Sequence, residues 1–379
     1  MKVLHVITEL DKMYGAQRHV VECIKNHVHN HHECLVITGK TGTATTEINL
    51  LGVSTILVPS LKNVNYSFFS DIKAILKVAK TIQSFNPDLV ISHSTKAGIV
   101  TRIACYIKKT PNIFTVHGWS FEIGAPWHQR IMGRIIELLI KSLSDSYHCV
   151  SHYTAEYGKR ILHLQQEKVY VCPNMHMQKA DTGINPTLYK NILMVAGFRK
   201  QKDHFTALRA LEYILRTKRN DLHFTFVGDG PKRKEITKFI YNHHLESHIT
   251  IAGETMDIDA YYQTCDIVIL PTYYEGLPLS LIEAIQSKKA VIGTNVGGVN
   301  EIIHDNVNGN LITVEDHITL GNLIVAYYEN NKVIELAANS FNIYNELYSY
   351  EKVSHRFNLM LQEAIQNSAY RKKEKTHKE

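Results

Sequence analysis

The sequence predicts an α/β protein whose strands form parallel sheets, and three observations support this. Short runs rich in β-branched residues alternate with longer amphipathic stretches along most of the 379 residues. Such alternation is typical of parallel strands joined by crossover helices. It pauses once, between Cys172 and Asn191, where Pro173, Gly183 and Pro186 interrupt the pattern. Because a chain of this length commonly holds two or three domains, we predict two Rossmann-like domains with a hinge at the pause.

The strand candidates divide between the two predicted domains. The first domain is predicted over residues 1–175 and the second over 186–349, while 350–379 is predicted to form a helix that crosses back toward the first domain and ends in a charged tail. The candidate strands of the first domain are 3–7, 34–38, 55–58, 89–92, 113–116, 147–150 and 169–172. Those of the second are 192–195, 223–227, 249–252, 267–270 and 290–293.

Composition narrows the class of protein. The chain is 44% hydrophobic and 21% charged, which is ordinary for a globular protein. Its net charge of +6 favours anionic partners such as phosphates or an acidic membrane surface, and the sequence shows no signature of a nucleic-acid-binding module. We expect no signal peptide and no membrane span. The six scattered cysteines predict reduced thiols and a cytoplasmic location.

The most informative stretch reads LPTYYEGLPLSLIEA and runs from residue 270 to residue 284. An apolar strand ends at Leu270, and Pro278 suits the first turn of a following helix. Free backbone amides at such a helix start form an anion site suited to a diphosphate, and here they belong to the segment Gly276, Leu277, Pro278 and Leu279. Glu275 is expected on the rim and Glu283 two turns inside, each accepting hydrogen bonds from sugar hydroxyls. The alternative is two solvated acids.

This stretch carries a family resemblance. The run EGLPLSLIEA, with seven residues between Glu275 and Glu283, resembles the Glu-x7-Glu signature of glycosyltransferase family 4. FVGDGP at 226–231 is similar to the family's strand-end turn, and NVGGVNEII at 295–303 with Asn308-Gly309 to its later landmarks. YGAQ at 14–17 resembles its Gly-Gly-Ala-Glu loop. The resemblance covers nearly the whole chain and implies the GT-B fold, in which two Rossmann-like domains border an interdomain cleft.

The resemblance also implies roles for the site residues. Glu275 would contact hydroxyls of the donor sugar, Glu283 the nucleotide ribose, and the 276–279 amides the distal phosphate. The second domain would bind the nucleotide-sugar donor and the first the acceptor. The reaction implied is a retaining transfer in which the departing phosphate accepts the acceptor's proton, so that no side chain serves as nucleophile. No cofactor and no metal are implied.

A basic loop follows the first strand of the second domain. Without a metal, Arg, Lys and amide dipoles must neutralise the departing diphosphate. Because ligands of open α/β sheets bind at the carboxyl ends of strands, we predict that Arg199 and Lys202 contact the phosphates, with Lys200 a weaker candidate. The family often has its Arg at the position of Gly197, so Arg199 stands two residues later than usual. A solvated basic loop is the alternative interpretation.

Three residues of the first domain are candidates for substrate contact. By resemblance, the loop of Gly15 directs its amides toward the donor phosphates, although Tyr14 and Gln17 replace the family's usual Gly and Glu. His117 follows the strand 113–116 in the run TVHGW, a setting in which the family commonly has a cleft histidine. Lys96, in SHSTKA, is a candidate for an acceptor phosphate or a plain surface lysine. His117 and Lys96 are the predicted acceptor contacts.

Two basic amphipathic segments suggest peripheral attachment to an anionic membrane. In 71–80, Lys73, Lys77 and Lys80 share one face, and the apolar Ile72, Ile75, Leu76 and Ala79 share the other. In 129–143, Arg130, Arg134 and Lys141 accompany many Ile and Leu. The alternative is two core-packed helices with solvated basic faces.

Two patterns resemble metal sites, and we interpret both otherwise. Asp257-Ile258-Asp259 spells Asp-x-Asp but precedes a helix, where acids are favourable. The cluster of His27, His29, His31 and His32 lies where the first helix should end, where cationic histidine is favourable.

Together these features predict a metal-independent, retaining glycosyltransferase similar to bacterial capsule and exopolysaccharide transferases. We expect a UDP-linked N-acetylhexosamine, or its deoxy form, as donor, and a lipid-linked glycan or polysaccharide acceptor at the inner face of the cell membrane. The alternatives are a sugar-nucleotide 2-epimerase of the same fold and a non-catalytic binding subunit of a transferase complex.

Overall fold

The structure is a computed structural model that describes residues 1–62, 68–177, 190–217, 220–255 and 257–376, with side chains up to residue 368. It divides into two compact units. Unit 1 comprises Met1–Met177 and Tyr350–Glu379, and unit 2 comprises Gln178–Ser349. Most of the predicted hinge, including Gly183 and Pro186, lies outside the described residues.

Unit 1 is built on a parallel sheet of seven strands in the order β3-β2-β1-β4-β5-β6-β7. Its strands are β1 (Lys2–Ile7), β2 (Glu33–Thr38), β3 (Ser54–Leu57), β4 (Leu89–His93), β5 (Asn112–Val116), β6 (Ser146–Cys149) and β7 (Val169–Val171). Its helices are α1 (Gly15–His29), α2 (Thr43–Leu50), α3 (Phe68–Phe85), α4 (Thr95–Lys108), α5 (Trp127–Ile140), α6 (His152–Leu162) and, from the C-terminus, α14 (Tyr350–Thr376).

Unit 2 repeats this plan with a parallel sheet of six strands in the order β10-β9-β8-β11-β12-β13. Its strands are β8 (Asn191–Val195), β9 (His223–Val227), β10 (Ile249–Gly253), β11 (Ile267–Leu270), β12 (Ala290–Thr294) and β13 (Gly309–Ile312). Its helices are α7 (His204–Arg216), α8 (Arg233–Asn242), α9 (Asp259–Gln263), α10 (Leu279–Gln286), α11 (Val299–Ile302), α12 (His317–Glu329) and α13 (Val333–Ile343).

The strands form because their apolar runs are covered on both faces. Every residue of β4, β5, β11 and β12 is buried, as expected for parallel strands between two helical layers. In both sheets the strand order reverses once, between β1 and β4 in unit 1 and between β8 and β11 in unit 2. Ligands of such sheets bind beyond the carboxyl ends of the strands at this reversal. We therefore expect ligand sites in the loops that follow these four strands.

The C-terminal helix α14 packs on unit 1. Phe357 and Leu361 lie in one buried cluster with Val3 of β1 and Leu89 of β4. Asn358 accepts a hydrogen bond from Asn26 of α1 at 2.9 Å. The helix continues to Thr376, through the charged segment that the sequence predicts as a tail.

The predicted fold class is confirmed, and the candidate strands fall within a few residues of the observed ones. The strand β13 is missing from the prediction because its short run, GNLI, begins with glycine and asparagine and contains only one β-branched residue, Ile312. A side chain at Gly309 would overlap the carbonyl oxygen of Val291, so the glycine lets β13 pair closely with β12.

The predicted apolar face of α3 is wrong in part. The buried residues of this helix are Ala74, Val78, Ala79, Thr81 and Ile82, whereas Ile72 and Leu76 are exposed. The segment carries two apolar stripes, and the stripe with Ala74 packs inward because a small residue allows close approach to α4. The exposed stripe also includes Phe68 and Phe69, so that Lys73 and Lys77 stand beside apolar side chains. Tyr66 lies outside the described residues.

Among the described helices, none is both long enough and apolar enough to cross a bilayer.

Candidate functional site

The loop between β11 and α10 carries both acids of the Glu-x7-Glu run. The buried strand β11 ends at Leu270, and α10 begins at Leu279 with Pro278 as its cap residue. No side chain caps this helix start, so its first amides are not covered by a capping group. Glu275 lies in the loop and Glu283 in the helix, and both side chains are buried. Glu275, predicted on the rim of the site, is 7% exposed.

Glu275 is held by a lysine from the neighbouring loop. The ammonium group of Lys202 contacts Oε1 of Glu275, and the hydroxyl of Thr272 donates to the same oxygen at 2.9 Å. The two loops are also joined by Gln201, whose side chain donates to the carbonyl of Tyr274 at 2.6 Å. They meet because β8 and β11 are neighbours at the reversal of strand order. The structure thus brings together a predicted sugar contact and a predicted phosphate contact.

A glycine of the NVGGV run makes the backbone of Glu275 accessible to a third loop. Gly297 has a φ of +54°, and a side chain there would overlap the carbonyl oxygen of Glu275. The amide of Gly298 donates to that same carbonyl oxygen at 3.2 Å. Only glycine combines this left-handed conformation with so close an approach. The later family landmark therefore positions Glu275 from the β12 side.

Glu283 lies within α10 and is almost fully buried. Its Oε2 accepts a hydrogen bond from the hydroxyl of Tyr262 at 3.0 Å, and the same hydroxyl lies 2.9 Å from the carbonyl oxygen of Ser280. Tyr262 belongs to α9, so two helices fix the carboxylate. A buried, oriented carboxylate is suited to recognising a pair of hydroxyl groups.

The basic loop after β8 exposes Arg199 and Lys200 and half-buries Lys202. Phe198 anchors the loop because its amide donates to the carbonyl of Asp229 at 3.0 Å. The carboxylate of Asp203 then caps α7 by accepting from the amide of Thr206. Lys202 of this loop lies against Glu275, and Arg199 is exposed.

In unit 1, His117 lies at the end of a row of histidines rather than alone. Its Nε2 is 3.3 Å from Nδ1 of His93, and Nε2 of His93 is 3.0 Å from Nδ1 of His5. His5 and His93 belong to β1 and β4, the two strands at the reversal of strand order, and His117 follows β5. Parallel pairing of these strands stacks the three rings across the sheet. His5 and His93 are buried, and His117 is partly exposed.

Two further histidines complete the cluster. His19 of α1 lies edge-on to His117 at a centroid distance of 4.8 Å, and 5.4 Å from His148 of β6. Nε2 of His19 is 3.3 Å from Sγ of Cys23, and Nε2 of His148 donates to the carbonyl of Cys172 at 2.8 Å. We define His5, His19, His93, His117 and His148 as the histidine cluster.

Burial keeps the histidine cluster uncharged. It lowers the pKa of His117 and of His5 to about 3, and that of His148 to about 4. The pKa values of His19 and His93 are well below the ordinary value, first because of burial and then because of neighbouring histidines. Neutral imidazoles each offer one lone pair, which can accept a hydrogen bond or bind a metal.

Lys96, a candidate for contact with an acceptor phosphate, is not the plain surface lysine of the alternative interpretation. Only 4% of this residue is exposed. Its ammonium lies 3.1 Å from Oδ1 of Asp71 on α3 and donates to the carbonyl of Lys62 at 3.1 Å. The side chain is therefore held by α3 and the loop before it. These two partners leave one of the three N–H donors of the ammonium group for a further contact.

The loop of Gly15 begins α1. Tyr14 is the cap residue of this helix and supplies no side-chain cap. A Cβ atom at Gly15 would meet nothing within 4 Å, so the surrounding described residues leave open space there. The predicted contact of Gly15 with a donor phosphate stays a prediction.

Helix α5 has an unusual distribution of apolar residues. Only Gly133 and Glu137 of this helix are buried, while most of its large apolar side chains are exposed, with Trp127 72% and Leu139 74% exposed. A cavity of about 350 Å³ opens beside it. Its lining combines apolar and cationic groups: Phe121, Trp127, Arg130, Ile131, Arg134, Tyr157 and Ile161.

Comparison with known families agrees with these observations. Residues 13–175 match the family model described as "Glycosyltransferase Family 4", and residues 178–341 match that described as "Glycosyl transferases group 1". The chain belongs to glycosyltransferase family 4.

Two relatives of this family 4 glycosyltransferase are named for transfer to undecaprenol-linked sugars. It is 27% identical over 315 residues, 77% of the chain and 81% of the relative, to UDP-Gal:alpha-D-GlcNAc-diphosphoundecaprenol alpha-1,3-galactosyltransferase of Escherichia coli. A GalNAc-alpha-(1->4)-GalNAc-alpha-(1->3)-diNAcBac-PP-undecaprenol alpha-1,4-N-acetyl-D-galactosaminyltransferase of Campylobacter jejuni is 22% identical, with 92% of this chain and 91% of the relative covered.

Solved structures show the same fold. The structure of Anabaena Alr3699/HepE in complex with UDP and glucose superposes with a TM-score of 0.79 at 18% identity, covering 96% of this chain and 99% of the other. The pneumococcal O-GlcNAc transferase GtfA, in complex with UDP and GlcNAc, superposes with a TM-score of 0.78 at 14% identity, covering 96% and 99%.

The sequence of this glycosyltransferase holds two patterns that resemble metal sites, and the interpretation of one of them needs correction. Asp259 lies in the first turn of α9, and Asp257 accepts a hydrogen bond from the amide of Ala260, as expected for acids at a helix start. His27, predicted as a cationic residue at the end of α1, is instead buried, and burial holds its pKa well below the ordinary value. It is therefore a neutral core residue, packed against His5 and Phe357.

The sequence indicates His117 as a site residue, but it does not indicate that the other members of the histidine cluster lie beside it. The positions of His5, His93 and His148 in predicted strands could have indicated the cluster, since a doubly wound sheet places these strands near one another. It becomes visible only when strand order is known, because these residues are distant in sequence.

Proposed function

We propose that this protein is a retaining, metal-independent transferase that moves a sugar, with a UDP-linked N-acetylhexosamine as the best candidate, to a lipid-linked glycan in polysaccharide synthesis at the cytoplasmic face of the membrane. The observation that carries the proposal is the convergence of Lys202, Glu275 and the uncapped start of α10 at the strand reversal of unit 2. That arrangement places a cation and free helix amides, which bind phosphate, beside a carboxylate that can accept hydrogen bonds from sugar hydroxyls.

The donor-side roles follow from this chemistry. Glu283 would bind the ribose hydroxyls, and Glu275 the hydroxyls of the donor sugar. Lys202, Arg199 and the backbone N–H groups of Gly276, Leu277 and Leu279 would neutralise the diphosphate as it departs. Before donor binding, the carboxylate of Glu275 lies against Lys202 and keeps the lysine oriented. Donor phosphates would then share this cation.

The reaction requires no covalent intermediate on the enzyme. The bond between the anomeric carbon and the diphosphate oxygen breaks, and the acceptor hydroxyl oxygen bonds to the same face of that carbon. The acceptor's proton passes to the departing phosphate oxygen. In this scheme the neutral ring of His117 donates or accepts a hydrogen bond to substrate and remains uncharged.

A lipid-linked acceptor is supported by the names of two relatives, whose acceptors carry diphosphoundecaprenol or PP-undecaprenol. The cavity beside α5 suits such a molecule, since Arg130 and Arg134 can pair with phosphates while Trp127 and Ile131 contact isoprenoid carbons. The exposed apolar residues of α5 and α3 would enter the lipid surface, and Lys73, Lys77 and Lys80 would face its anionic headgroups.

The direct test incubates the purified chain with a panel of UDP-sugars, in EDTA, with a polyprenyl-diphosphate-linked sugar as acceptor. We expect one donor to be consumed and the product to retain the donor's anomeric configuration, as read by NMR. Inversion, or a strict requirement for added magnesium or manganese, would overturn the mechanism. Conversion of the donor to an epimer without acceptor would identify an isomerase instead.

The acceptor assignment has its own test. The variant Arg130→Gln/Arg134→Gln should raise KM for the lipid-linked acceptor at least about tenfold, since each lost charged hydrogen bond is worth about 1.5–3 kcal/mol. Its affinity for UDP, measured by calorimetry, should equal that of the parent. An unchanged KM would remove the α5 cavity from the acceptor site.

A further inference from the structure

Three imidazoles of the histidine cluster converge on one point. His19, His93 and His117 each offer one ring nitrogen, and these nitrogens all lie within 4.8 Å of one another. His19 comes from α1, His93 from the end of β4 and His117 from the loop after β5. Two of the residues are fully buried, and His117 reaches solvent. We propose that His19, His93 and His117 form a three-imidazole binding site for a divalent transition-metal ion, with Zn²⁺ the best fit.

The distances suit a small metal ion. Tetrahedral zinc binds histidine nitrogen at about 2.0–2.1 Å, which separates neighbouring ligand atoms by about 3.3 Å. Nδ1 of His93 and Nε2 of His117 already stand 3.3 Å apart. The widest separation in the group, at most 4.8 Å, closes to the tetrahedral value with side-chain movements of about 1.5 Å or less.

The remaining ring nitrogens are arranged as metal-binding histidines require. A histidine that binds a metal through one nitrogen normally donates its other N–H to a fixed partner. If Nδ1 of His93 binds the metal, its Nε2 donates to Nδ1 of His5, 3.0 Å away. If Nδ1 of His19 binds, its Nε2 donates to Sγ of Cys23 at 3.3 Å. Both partners are buried and therefore hold the rings in place.

The donor set selects the kind of metal. Three neutral nitrogens without a carboxylate suit zinc, cobalt, nickel or copper, and not magnesium or calcium, which prefer oxygen ligands. Three protein ligands also leave a fourth position that water or an anion can occupy.

Metal at this site would affect the proposed reaction by holding the ring of His117 away from substrate. We therefore expect zinc to inhibit transfer while leaving UDP affinity in unit 2 unchanged. This consequence rests on the proposed function, but metal binding itself does not. The site is tested without donor or acceptor, so failure of one proposal does not imply failure of the other.

The experiment uses the full chain purified without a polyhistidine tag, stripped with EDTA and dialysed free of chelator. Equilibrium dialysis against Zn²⁺ should give one tightly bound equivalent, and Co²⁺ used as a spectroscopic probe should give the visible absorption of a tetrahedral ion. Both signals should disappear in His93→Gln and in His117→Gln. Because His93 is buried, circular dichroism must show that its variant is folded, and the partly exposed His117 provides a second, milder variant.

The matched control changes a histidine pair outside the site. His29 and His31 are exposed, so His29→Gln/His31→Gln removes two imidazoles that lie outside the site and should keep the bound equivalent. Loss of zinc in this control, with none lost in folded His117→Gln, would overturn the proposal. So would a thiolate-to-cobalt charge-transfer band, since it would show that Cys23 rather than three imidazoles binds the metal.

Discussion

The ammonium of Lys202 lies against the carboxylate of Glu275, although the two residues are 73 positions apart in the chain. Glu275 is buried and Lys202 is half-buried, so water screens the pair only partly. Each residue thus restricts the other's orientation. Removing the lysine leaves a buried carboxylate without its cation, whereas neutralising the glutamate leaves a lysine that can reach solvent.

From this pairing we expect different effects of Glu275→Gln and Lys202→Met. Glu275→Gln keeps the shape of the side chain but loses the charged acceptor for sugar hydroxyls, so kcat should fall about 10- to 100-fold with little change in UDP affinity. Lys202→Met removes a phosphate contact and should weaken UDP binding by a similar factor. Calorimetry with UDP and steady-state kinetics separate the two effects. The exposed neighbour Lys200 supplies the control, and Lys200→Met should resemble the parent in both assays.

Glu283→Gln should weaken nucleotide binding by about 1.5–3 kcal/mol, because the ribose hydroxyls lose a charged acceptor. Calorimetric titration with UDP measures the effect. Tyr262→Phe, which removes only the hydroxyl that donates to Glu283, should cause a smaller loss. Unchanged UDP affinity in Glu283→Gln would exclude Glu283 from the nucleotide site.

Vesicle binding should depend on the basic face of α3. Each basic residue near an anionic surface contributes about 1 kcal/mol at low salt, so Lys73→Glu/Lys77→Glu should weaken co-sedimentation with anionic vesicles at least about tenfold. The attraction should decline as salt rises. Lys234→Glu/Lys238→Glu changes an equally spaced, exposed pair on α8 and should bind vesicles like the parent.

A second variant of α3 separates the contribution of apolar insertion to vesicle binding from that of electrostatic attraction. Phe68→Ser/Phe69→Ser removes exposed apolar groups and should reduce the binding that survives at high salt. If both α3 variants bind vesicles as the parent does, the helix is only a solvated face.

Acid should destabilise unit 2 through His204. This residue is buried beside Phe198 and Phe226, and burial lowers its pKa from 6.5 to about 4. Because the folded pKa is the lower one, the unfolded chain binds the extra proton between these pH values, and stability falls as pH falls from about 6.5 toward 4. One such histidine contributes about 3 kcal/mol over that window.

The measurement is the thermal unfolding of the full chain at pH 7 and pH 5. The decrease in Tm assigned to unit 2 should be smaller in His204→Leu than in the parent. His304→Leu, which changes an exposed histidine of the same unit, should keep the parent's full decrease. Equal decreases in all three proteins would show that His204 does not titrate in the unfolding transition.

The sequence alone determined the fold class, the family and the position of both acids in the loop and helix after β11. These depend on local patterns: an apolar run that must be covered on two faces, a proline at a helix start, and glycines that permit close backbone approach. Gly297 is an example: the sequence shows that it belongs to the run NVGGV, but only the structure shows that it contacts Glu275.

Only the tertiary structure decided which distant residues meet. Lys202 reaches Glu275 because β8 lies beside β11. Four histidines gather because β1, β4, β5 and β6 are neighbours in one sheet, and α1 adds His19. Lys96 is occupied by Asp71 because α3 and α4 pack together, and α3 buries Ala74 rather than Leu76 for the same reason. The periodicity of a sequence shows which faces of a helix are apolar. Which of two apolar stripes is buried, and which charged residues pair, depends on contacts that form only when the chain is packed.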